Sequence, residues 1–127
     1  MERVINYVGG TVEINIKNFG IYSLGRDSAT GKTYLSSILK SEEDIYVLTY
    51  DSENKILEGL REFIKSDMPI LYFDRFDLSI TENIAKVISL IKDRYIILDF
   101  KNDNYSKLLD ASMLSFIHDS GRFILYA

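Results

Sequence analysis

A chain of 127 residues with 46% apolar and 27% charged side chains has the size and composition of one folded domain, not of a disordered segment. A net charge of -4 with scattered lysines and arginines excludes the basic footprint of sequence-independent nucleic-acid binding, and the lack of cysteine excludes disulfides and thiolate metal sites. No apolar run approaches the roughly 18 residues of a membrane helix and the N-terminus alternates unlike a signal peptide, so a cytoplasmic single domain over residues 1–127 is expected.

Residues 3–8 and 11–17 flank Gly9-Gly10, a two-residue turn, and predict a β-hairpin within residues 1–18. In its second arm Val12, Ile14 and Ile16 alternate with Glu13, Asn15 and Lys17, one face buried and the other wet. From residue 19 the rhythm changes to strand, helix, strand, helix. An apolar run over 19–24 leads into Gly25-Arg26-Asp27-Ser28-Ala29-Thr30-Gly31-Lys32-Thr33, and a helical stretch over 34–40 leads out. A second strand over 45–50 ends at Asp51-Ser52, which can cap a helix carrying Ile56, Leu57, Leu60, Phe63 and Ile64 at helical spacing.

Pro69, the only proline, stops that helix and starts a third strand over 70–73, which ends at Asp74. Ser79 with Glu82 three residues on reads as a capping box, opening a helix with Ile80, Ile84, Val87, Ile88 and Ile91 inward. A fourth strand over 95–98 ends at Asp99. A last helix starts at Asn104 or Ser106, carries Leu109, Met113, Phe116 and Ile117 on one face, and closes at Gly121 before a fifth strand over 123–126. His118, the sole histidine, is explained by the C-terminus of that helix without a catalytic role.

Three of the strands are continuous apolar runs, as in parallel sheets buried on both faces. Right-handed crossovers set the C-terminal ends of all such strands along one rim. The segment 25–33, Asp51, Asp74 and Asp99 are therefore expected together on the rim where open α/β sheets bind ligands.

The segment 25–33 has the chemistry of a phosphate-binding loop. Backbone amides in a tight turn, backed by a helix N-terminus, favour an anion, and Gly31 lets the main chain approach an oxygen closely. Ser28, Ala29, Thr30, Gly31, Lys32, Thr33 and Tyr34 are the expected nucleotide contacts. Lys32 brings a cation to the outer phosphates, and the Thr33 hydroxyl takes one position on Mg²⁺. Asp74 is the candidate for holding a water on that metal, with Asp99 its rival. The usual pattern has glycine where Arg26 stands, and Gly25 falls one residue early. Tyr7 and Tyr22 can stack on a base, although ordinary strand packing accounts for both.

On the residues Ala29–Thr33 and the run 70–74 the chain resembles the P-loop NTPases, and among them the core of the AAA+ and related ATPase division. The resemblance implies a three-layer α/β/α sandwich with a mostly parallel five-stranded P-loop NTPase core in the order 5-1-4-3-2, here over residues 19–127 with the hairpin added. It also implies Lys32 and Asp74 in catalysis, Thr33 and Asp74 on the metal, and a polar sensor at Asp99 or Asn102. The family usually places Glu directly after the acid of the third strand. Arg75 stands there, a solvated or ion-paired residue or a partner contact, and Asp77 is the nearest acid to position water.

The functional expectation is thus an ATP-binding protein, with slow Mg²⁺-dependent hydrolysis as its catalytic form. The alternative is a non-catalytic module acting through a protein partner or a second copy, favoured by Arg26, Arg75 and the absence of the family's helical lid after the fifth strand. A small phosphotransferase using Asp51 or Asp77 as base is the third reading. No Asn/Thr-Lys-x-Asp signature for guanine occurs, so ATP is preferred to GTP.

Overall fold

The fold is that of a computed structural model, which describes residues 39–99 with their side chains and the backbone of four further strands over 2–7, 10–15, 21–24 and 123–126. The elements in chain order are β1 (Glu2–Tyr7), β2 (Gly10–Asn15), β3 (Ile21–Leu24), β4 (Ile45–Leu48), α1 (Glu53–Lys65), β5 (Ile70–Phe73), a 3₁₀ turn (Phe76–Leu78), α2 (Glu82–Leu90), β6 (Tyr95–Asp99) and β7 (Phe123–Tyr126). β1 and β2 form a separate antiparallel pair. Its closing partners are Tyr7 and Gly10, so Gly10, expected in the turn, belongs instead to β2.

The second sheet is parallel, with strands in the order β4-β5-β6-β3-β7. Its register is regular: Leu48 pairs with Phe73, Phe73 with Leu98, and Leu24 with Asp99. All residues of β5 and β6 are buried, which explains why their sequences are apolar without alternation.

The fold class expected from the resemblance is corrected here. The unit described with its side chains is three parallel strands, β4, β5 and β6, and two helices that touch each other on one face. That falls far short of a three-layer sandwich on a five-stranded P-loop NTPase core. The physical reason is that apolar periodicity announces an element but not the layer it joins. The crossovers from β4 to β5 and from β5 to β6 step in the same direction along the sheet, so one handedness puts both helices on one side. The helical stretch at 34–38 and the helix expected after Asn104 lie outside the described residues.

The core between the helices and the sheet joins Ile56, Leu60 and Phe63 of α1 with Ile84, Ala85 and Ile88 of α2, against Leu48, Leu71, Phe73, Ile96 and Leu98 of the strands. The strand residues are alternate ones, as the pleat demands. α1 owes its close seat on β4 to Gly59: a Cβ there would meet Leu48 Cδ1 at 3.0 Å. α2 starts at Thr81, whose hydroxyl accepts the Ile84 amide at 3.3 Å. The expected cap, Ser79, instead ends the 3₁₀ turn.

Candidate functional site

The site is built where β5 and β6 end. The Asp74 amide donates to the Leu48 carbonyl at 2.7 Å, which carries the ladder one residue past β5 and fixes where this acid stands. Directly after it the chain turns. Arg75 has φ 50° and ψ 49°, the left-handed region, and among the described residues it is the only non-glycine with positive φ. Such a conformation costs a side-chain-bearing residue about 1–2 kcal/mol. It is offset by what it permits: the guanidinium doubles back onto the 3₁₀ turn and forks onto Asp77, Nε to Oδ1 at 3.0 Å and Nη2 to Oδ2 at 3.1 Å.

The Asp77 side chain is 1% exposed and that of Arg75 25%. The hydrogen bond to Asp77 holds the Arg75 guanidinium more basic than usual; burial opposes this, and the charges of Asp77, Asp99 and Asp74 reinforce it. One cation thus stands within electrostatic reach of three carboxylates.

Asp99, the last residue of β6, is fully buried, and its Oδ2 accepts the Tyr72 hydroxyl at 3.2 Å. The two-residue period turns Tyr72 and Asp99 to the face away from α1 and α2. Asp51 lies on the same rim after β4. Its Oδ1 accepts the Ser52 amide at 2.7 Å, and its own amide donates to Ser79 Oγ at 3.0 Å.

The acids expected on one rim, Asp51, Asp74 and Asp99, stand at the C-terminal ends of β4, β5 and β6, and Asp77 lies in the 3₁₀ turn that follows β5. Ser28, Ala29, Thr30, Gly31, Lys32, Thr33 and Tyr34 lie outside the described residues, as do Asn102 and His118. β3 is the strand before residue 25, and its last residue, Leu24, is in register with Asp99. Two features escaped the sequence reading. Tyr72 as partner of Asp99 was signalled only by a polar-tipped aromatic inside an apolar run, and Ser79 as the link to Asp51 was hidden by its better match to a capping box.

Among the described residues no group of three or more histidines or acids is arranged to hold a metal ion. Mg²⁺ does not require one, since it keeps several waters and takes one or two protein oxygens beside phosphate. The donors present, a nearly buried Asp74 and a buried Asp99, are hard oxygens and suit such an ion. Among the described residues no helix is long and apolar enough to cross a membrane. Neither the models of known protein families nor the sequences of characterised proteins match this chain.

Proposed function

We propose that the chain binds a nucleoside triphosphate, ATP in the first instance, with Mg²⁺, at the C-terminal rim of the parallel sheet. The reading rests on one observation. Leu24, the last residue of β3, is in register with Asp99, and Asp74 directly follows β5, the strand on the other side of β6. The segment that follows β3 carries Ser28-Ala29-Thr30-Gly31-Lys32-Thr33-Tyr34, whose amides and ammonium are suited to phosphate oxygens. Thr33 and Asp74 hold the metal in this reading, and the metal neutralises charge between the outer phosphates.

Binding without rapid turnover is favoured by the Arg75–Asp77 fork. Both Asp77 oxygens face the guanidinium, which leaves this acid poorly placed to orient an attacking water. The function is then exercised through a protein partner or a second copy, with nucleotide as the signal.

Calorimetric titration of Mg²⁺-ATP into the wild type and Lys32→Ala, beside a phosphate-release assay, tests the reading. The wild type is expected to give a saturable heat, and loss of the charged contact of about 1.5–3 kcal/mol weakens binding by about tenfold to a hundredfold. A wild type that takes up no ATP would sink the proposal. Phosphate release at the rate of ATP in buffer would leave the non-catalytic form standing.

A further inference from the structure

Among the described residues β4 is an outermost strand of the parallel sheet. The Asp44 and Leu48 carbonyls accept the Ile70 and Asp74 amides, so strand alternation turns the main-chain groups of Val47 and Thr49 away from β5. Val47 is half-buried and Thr49 exposed. Edge strands are ordinarily blunted by lysine, proline or a bulge, and Ile45-Tyr46-Val47-Leu48 contains neither charge nor proline.

A groove of about 320 Å³ runs beside this edge, between β4 and α1. Asp51, Glu58 and Glu62 line it, with Lys55 the one cation among its described lining residues. Tyr46 crosses the groove and donates to Glu62 Oε2 at 2.9 Å; burial first, and then this bond, raise its phenol above the ordinary value. The acidic lining argues against a second copy of the chain as occupant. A two-fold contact would bring Glu58 and Glu62 towards their own equivalents on a protein of net charge -4.

We propose that this edge docks an extended, basic peptide segment of a partner protein. The segment adds to β4 as a further strand, its main chain pairing with the outward amide and carbonyl of Val47. Its lysines or arginines lie over Glu58 and Asp51. Main-chain pairing supplies the affinity of such an addition and the flanking side chains its selectivity. The surface does not depend on nucleotide binding at the rim.

The probe is a fluorescent peptide of alternating lysine and valine, with a glutamate–valine peptide as control, followed by anisotropy with the full chain. Saturable binding of the lysine peptide alone, weakening as salt rises, is expected. Val47→Pro removes one outward N–H and leaves the β5 ladder intact, so binding falls about tenfold while circular dichroism is unchanged. Glu58→Lys, an exposed helix position, weakens the lysine peptide independently of any effect of proline on folding. Equal binding of both peptides, or affinity untouched by Glu58→Lys and by a folded Val47→Pro, overturns the proposal. So does a dimer of the free protein that Val47→Pro dissociates, which would assign the edge to a second copy.

Discussion

Arg94 and Arg75 stand at opposite ends of the same sheet and are used in opposite ways. Arg94, just before β6, donates from Nη1 to the Phe63 and Met68 carbonyls at 2.9 and 3.0 Å, and from Nη2 to those of Ile64 and Ser66 at 3.0 and 2.8 Å. Its guanidinium also lies 5.0 Å from the centre of the Phe63 ring. One side chain thereby closes the carbonyl end of α1, where backbone acceptors have no partner within the helix. Arg75, just after β5, meets no such row of carbonyls; it is locked to one carboxylate and feels two more. The first end is sealed by the protein's own groups. The second gathers one cation and three carboxylates.

The largest effect that would sharpen this contrast is expected at Arg94. Arg94→Ala removes a donor from two carbonyls of α1 and two just beyond it, of which that of Phe63 keeps Ser66 as donor, and is expected to lower unfolding stability by about 2–4 kcal/mol in urea. Arg94→Lys should recover little, because an ammonium cannot fork across four acceptors. A loss below about 1 kcal/mol would mean that water serves those carbonyls equally well.

At the other end Arg75→Ala leaves the nearly buried Asp77 carboxylate without its cation, which is expected to cost about 2 kcal/mol at neutral pH, since Arg75 is itself partly exposed. Arg75→Gly loses the same pair but relaxes the left-handed backbone, and should be about 1 kcal/mol more stable than Arg75→Ala. Denaturant melts of the two variants side by side measure the strain directly. If glycine brings no advantage, the turn after Asp74 is not strained.

The smallest effect concerns the start of α1. Hydrogen bonds from Asn83 and then Thr81 hold the exposed Glu53 carboxyl below its ordinary value. A depressed carboxylate contributes stability above its unfolded value, and that contribution is lost as pH falls through the folded one. Asn83→Ala should therefore move the Glu53 titration upward, read by NMR, with almost no change in stability at neutral pH. An unmoved titration curve would show that solvent screens the contact completely.

Much of residues 39–99 could be read before any coordinates. The run Ile70-Leu71-Tyr72-Phe73 is the whole of β5, and the positions Ile56, Leu60 and Phe63 are the buried stripe of α1. Both are local signals, set by burial and period within one element. Layering was not legible, because it depends on the side of the sheet that each crossover takes, which no single element encodes. The rim acids were legible as strand ends, yet the fork that engages Asp77 was not. It requires a left-handed Arg75, a conformation that the residue type itself disfavours.

The hydroxyl of Ser79 joins two crossovers that are far apart in sequence. Because it receives the Asp51 amide at 3.0 Å, the turn after Asp74 is tied to the entry of α1. A displacement of the 3₁₀ turn would be felt first at the helix start, which carries part of the wall along the outer strand. That one contact ties the acidic rim to the sheet's flank without involving the interior.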